Sequence, residues 1–182
     1  MALNVTSTKQ ALVDLVNAEN KKAFTLKVIT VGAPSDFVGT GTNSKARFTA
    51  IAGKGYRGYV DIEYNRLSTS DAFGITDYHY TLHGDVEVSG ETVLAGVLAE
   101  LSSKWSLPLS AEGEIGSWNY DKTGTIDDAI IGTLTIDLSP NYVLHGQLTV
   151  TVMNEKIPLP DVITIVRLDG FKEDQSELED NG

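Results

Sequence analysis

The sequence has no cysteine in its 182 residues. Disulfide frameworks, thiolate nucleophiles and zinc–thiolate sites are therefore excluded. Basic residues are scarce as well: 14 Lys and Arg stand against 25 Asp and Glu, a formal charge of −11. Phosphate backbones and anionic membrane surfaces are held by a basic footprint, so the balance argues against nucleic acid and membrane as partners. No apolar run approaches the roughly 20 residues of a membrane-spanning helix. The stretch Met1-Ala-Leu-Asn-Val5 lacks the charged and apolar regions of a signal peptide, and synthesis in a cytoplasm is expected.

What is present belongs to a globular chain, with 41% apolar and 21% charged residues and 17 glycines spread along its length. That length suffices for one sizeable core or two smaller lobes without a metal or disulfide staple. Ser7-Thr-Lys-Gln10 has the form of a capping box, and Ala11, Leu12, Leu15 and Val16 follow on one face, which predicts a helix over 8–20. Phe24 to Val31 is rich in β-branched residues and predicts a strand that stops at Gly32-Ala-Pro34. Residues 45–52 and 59–66 alternate with period 2, so Gly53-Lys-Gly-Tyr-Arg-Gly58 reads as the connection of a hairpin.

The order then recurs. Ser89 stands as an N-cap before the stripe Val93, Leu94, Val97, Leu98 and Leu101. Trp105-Ser-Leu107 follows it as Phe24-Thr-Leu26 follows the first helix, and residues 132–138 and 146–153 form a second alternating pair around Ser139-Pro-Asn-Tyr142. Aligning Gly146 with Gly58 through a two-residue insertion places Tyr142 opposite Tyr56. The fold class expected is α+β, with two related helix-strand-hairpin halves, two helices and mainly antiparallel sheets. Its divisions are 1–68, 69–170 and an acidic tail at 171–182. Asp161 to Leu168 (DVITIVRL) reads as a last strand closing a sheet.

Chemistry-bearing residues are few. In DYHYTLHGDVEV, residues 77–88, the alternation predicts a half-buried strand with His79 and His83 on its polar face. Four residues of strand separate them by roughly 13 Å, too far for one metal ion. Asp77 with His79, or His83 with Asp85, would need a third ligand from elsewhere, and a solvated strand face accounts for the pattern more simply. Asp127-Asp128 lacks the glycine and glutamate of a calcium loop. Gly39-Thr-Gly-Thr-Asn43 lacks the lysine and the following helix of a phosphate loop. No GxSxG elbow is present, and no triad is implied. An enzyme is disfavoured, and no cofactor is expected.

Aromatic residues in turn-like surroundings are the other candidates: Tyr56, Trp118, Tyr120 and Tyr142. Trp and Tyr commonly anchor interfaces. Such rings serve equally to cover a core edge, and a carbohydrate- or receptor-binding module would use the same residues.

Asn43-Ser-Lys45, Gly53-Lys-Gly-Tyr-Arg-Gly58 and Tyr64-Asn-Arg-Leu67, with the N-terminal helix and the Gly32-Ala-Pro34 break, form a spaced series. It resembles a module of virion structural proteins in large contractile-tailed bacteriophages, over residues 7–67 and, by way of the repeat, 89–153. The resemblance implies a non-enzymatic component of the tail, baseplate or capsid exterior, located in the virion. It would contact other virion proteins in a symmetric, multi-copy assembly. On that reading Gly58 avoids a side-chain clash in a tight turn. Arg66 pairs either with a carboxylate across a subunit boundary or with one inside the chain.

Overall fold

The computed structural model describes residues 7–74, 78–83, 87–110, 112–125 and 128–155. The chain is α+β, with mainly antiparallel sheets and, among the described residues, three helices where two were expected. Helix α1 (Thr8–Asn20) opens the first half, followed by β1 (Ile29–Val31), β2 (Ser35–Asp36), β3 (Ser44–Ala50) and β4 (Tyr59–Tyr64). Next come β5 (Leu67–Ser68), the five-residue α2 (Thr69–Phe73) and β6 (Tyr78–His83). Helix α3 (Gly90–Trp105) precedes β7 (Trp118–Lys122), β8 (Ile130–Asp137), β9 (Leu144–His145) and β10 (Gln147–Glu155).

Both long helices start where a serine accepts an orphan N–H. Ser7 Oγ accepts from Gln10 N at 3.2 Å and Ser89 Oγ from Thr92 N at 3.3 Å. The capping box of α1 is only half formed, because the Gln10 side chain donates forward to Asp14 Oδ1 at 2.8 Å. A second acceptor comes from far along the chain: Glu114 accepts from Thr8 N at 2.8 Å. Its negative charge complements the positive end of the helix dipole. The buried face of α1 is Leu12, Val13 and Val16, while Leu15 is exposed. The expected strand over 24–31 shortens to β1. Asn17 holds the backbone of Phe24 in two bonds of 2.7 and 2.8 Å, and residues 26–28 turn before the ladder begins.

In the first sheet, β3 takes β4 on one side and the short β1 and β2 on the other, all antiparallel. The second sheet runs β6-β10-β8-β7, with β6 parallel to β10 and the other pairs antiparallel. A two-stranded parallel bridge of β5 and β9 links the halves. Each half has its own core. One gathers Leu12, Val13, Val16, Ile29, Val31 and Phe48, and the other is built from α3, β6, β8 and β10. In the second core β6 sits close under α3, with the Tyr80 hydroxyl in the place where a Cβ on Gly96 would stand.

The two hairpins match without the expected insertion. Ala50 N donates to Gly58 O at 3.0 Å, and Leu138 N donates to Gly146 O at 2.9 Å, so both connections have the same length. Along the ladders Ala46↔Ile62 corresponds to Leu134↔Val150, a constant offset of 88 residues. Tyr142 therefore falls opposite Lys54, not Tyr56. Gly58 and Gly146 have φ of +81° and +87°. Nothing lies within 4 Å of a Cβ built on either, so the backbone conformation, not a clash, calls for glycine.

Candidate functional site

Two of the five interface candidates turn inward at the junction of the halves. Arg66, with 1% of its side chain exposed, donates to Ser44 Oγ at 2.7 Å, to the carbonyls of Ser139 at 2.8 Å and Asn141 at 3.2 Å, and to Asp36 Oδ1 at 2.7 Å. Its carboxylate partner is thus inside the same chain. Tyr142 is inserted in the first core, its hydroxyl donating to Gly32 O at 3.1 Å and its N–H to Thr8 Oγ1 at 3.0 Å. Burial raises its phenol pKa. Tyr64 lies beside them, and burial pushes its phenol up to about 12.

Trp118 and Tyr120 are on strand β7 and not in a loop. They are half-buried and pack on the second core, with Trp118 Cζ3 and Tyr120 Cβ each 3.2 Å from a Cβ built on Gly90. Together with Tyr142 in the other core, they form no common platform for a sugar.

His79 and His83 are exposed on β6, as the alternation predicts, while Tyr78 and Leu82 are buried. His83 Nδ1 pairs with Glu155 of the neighbouring strand. The Tyr78 hydroxyl donates to Glu100, and burial followed by that bond raises its pKa. No cluster of three or more His, Asp or Glu side chains with metal-binding spacing occurs among the described residues. Asp77, Asp85 and Asp127 lie outside the described residues, as do the expected strand 161–168 and the tail. Asp128 accepts from Thr125 N at 2.8 Å and Thr125 Oγ1 at 2.9 Å, closing a turn.

Tyr56 marks a different kind of place. It is 52% exposed and meets Phe24 edge to face at 5.3 Å between ring centroids. The two rings form one end of an apolar groove of about 220 Å³ that continues over Val16, Phe48, Val60 and Ile62. Strand β4 forms its wall. Because Gly58 O accepts from Ala50 N, the alternation of the ladder turns Val60, Ile62 and Tyr64 main-chain groups towards β3. Those of Tyr59, Asp61 and Glu63 point the other way, and among the described residues β4 pairs with β3 alone. On the opposite face Arg47 binds Asp61 through bonds of 2.7 and 2.9 Å and lies 4.1 Å from the Tyr59 ring centroid. That bond raises the Arg47 pKa and lowers that of Asp61. The arrangement has no nucleophile–base pair; what it offers is main-chain hydrogen bonding beside apolar side chains, the requirements of strand addition.

Sequence reasoning found Tyr56 but not Val60 or Ile62. Their alternation is that of core residues, and among the described residues no strand lies on the outer side of β4.

No helix among the described residues is long and apolar enough to cross a membrane. No curated protein and no solved structure matches the sequence. One family model does, over residues 1–179, and the chain belongs to that family, a family of unknown function (DUF7941).

Proposed function

We propose that the chain is a non-enzymatic structural component of a bacteriophage particle, acting through protein–protein contacts in the tail, the baseplate or on the capsid. The observation that carries the protein-contact part is the open edge of β4 above its apolar groove. Tyr59 is 66% exposed and Val60 54% exposed on a strand whose outer main-chain groups have no partner strand among the described residues. Folded chains ordinarily blunt such edges because they invite pairing with another chain. Support for the phage part comes from the resemblance carried by Gly53–Gly58 and Tyr64–Leu67, segments that form and adjoin this same edge.

Immunogold electron microscopy of purified particles of the encoding phage, with an antibody to this chain, tests the proposal. Label confined to tail or baseplate assigns a tail component, and label over the head assigns a capsid component. Disrupted particles that contain none of the chain by mass spectrometry would contradict the virion reading.

A further inference from the structure

Charge is unevenly placed on this chain. Residues 17–30 and 51–60, which supply one end of the apolar groove, carry five basic side chains, Lys21, Lys22, Lys27, Lys54 and Arg57, and one acidic, Glu19. The whole chain has 14 basic and 25 acidic residues, so the groove lies in a local excess of positive charge on an acidic protein. All five cations are exposed, and among the described residues none of them is in an ion pair.

Backbone contacts gather the segments that bear these charges. The Lys22 N–H donates to Asn17 O at 3.0 Å, beside Val16 of the groove wall, and Asn17 in turn holds the backbone of Phe24. Val28 O accepts from Ile51 N at 3.0 Å, which brings the segment of Lys27 against the hairpin connection that carries Lys54. Arg57 itself lines the groove, next to Tyr56. Helix electrostatics account for part of the pattern, since Lys21 and Lys22 follow the C-terminus of α1 and complement its dipole. Lys27, Lys54 and Arg57 are on no helix, and no described carboxylate pairs with them.

An occupant has to satisfy the apolar and the charged part together. The groove of about 220 Å³, walled by Val16, Phe48, Val60 and Ile62, takes an apolar side chain. The cations take carboxylates or phosphates. At physiological ionic strength charges more than about 8 Å away are largely screened, so a short acidic segment responds to the five cations alone. A long polyanion or a whole second copy also meets the acidic remainder of a chain whose charge is −11. Nucleic acid, in addition, offers bases with polar edges to a groove of aliphatic side chains.

We infer that the groove docks a short acidic segment of another protein, which places an apolar side chain against Val60 and Ile62 and its flanking carboxylates against Lys21, Lys22, Lys27, Lys54 and Arg57. The inference rests on the reading of this face as a protein-contact surface and names the chemistry of its partner. Charge gives such a contact its specificity and on-rate, and burial of the apolar side chain slows its release.

The test titrates the full chain into a fluorescein-labelled peptide of sequence EELFEE and follows fluorescence polarisation, with EESSEE and KKLFKK for comparison. EELFEE should bind at least about tenfold tighter than either, because one lacks the apolar pair and the other reverses the charge. Its addition should shift the amide resonances of Tyr56, Gly58 and Val60 and leave those of the β8–β10 ladder in place. Arg57→Glu and Val60→Glu, both at exposed positions and each checked for folding by thermal melting, should weaken binding at least about tenfold. Lys104→Glu makes the same charge change in the second half and should alter affinity less than about twofold. Equal affinity for the three peptides, no binding of EELFEE up to about 1 mM, or equal losses in Arg57→Glu and Lys104→Glu would overturn the inference. So would a labelled oligothymidylate that binds more tightly than EELFEE, which would make nucleic acid the occupant. Self-association of the chain that Val60→Glu abolishes would overturn it too, by making a second copy the occupant. The virion reading stands apart from this result. Peptide binding without the chain in particles would remove only the phage assignment, and particle label without peptide binding would remove only the acidic partner.

Discussion

Arg66 shows how a residue's apparent role changes once its surroundings are known. From the sequence, a cross-subunit and an internal carboxylate pair were both open for it. In the fold it joins the halves, and most of its hydrogen bonds end on main-chain carbonyls and a serine, while Asp36 is 90% exposed on its side chain. The two ends of this ion pair should therefore behave differently. Arg66→Met leaves buried carbonyls without donors and is expected to cost about 2–4 kcal/mol. Asp36→Asn removes a solvated carboxylate and is expected to cost less than about 1 kcal/mol. Denaturant unfolding of both variants measures the difference; equal losses would mean that the exposed ion pair, not the carbonyl bonds, holds the junction. None of this was legible from the residue itself. Its partners lie up to 75 positions away, and Thr8 and Glu114 are 106 apart, with no local pattern joining them.

Elements were more legible than their neighbours. The span 8–20 and the stripe from Val93 to Leu101 were readable because a cap residue and a helical period coincide there. Both hairpins were readable because alternation is a local signal with a known turn chemistry. The parallel pairing of β6 with β10 was not, since parallel strands are joined by long crossovers that leave no mark in either segment. Two-residue strands such as β2, β5 and β9 are too short to carry a period. Gly58 was identified correctly as a turn residue but for the wrong cause, and the correction makes its own prediction. If positive φ is the constraint, Gly58→Val costs about 1–2 kcal/mol, whereas Gly58→Asn costs less because asparagine enters the left-handed region more readily. Thermal unfolding of the pair distinguishes conformation from steric clash. Similar losses for both substitutions would favour the clash.

At the scale of the whole molecule, two sheets of related hairpin geometry are tied by a buried polar junction, and they differ in how completely each is closed. The second has four strands running side by side, with β6 pairing along the edge of β10 from Val150 to Glu155. Among the described residues the first ends at β4, with Val60, Ile62 and Tyr56 around a groove at its margin. With a charge of −11 the chain repels copies of itself at long range. Association at this edge therefore depends on short-range strand pairing and apolar burial. The measurement that bears most directly on this account is amide hydrogen exchange at Tyr59, Asp61 and Glu63, compared between the free chain at low concentration and the chain within purified particles. The account predicts fast exchange in the free chain and strong protection in the particle, with little change at the β8–β10 ladder, already paired within the chain. Equally fast exchange in both states would contradict it, because the open edge would then remain without a partner in the assembly.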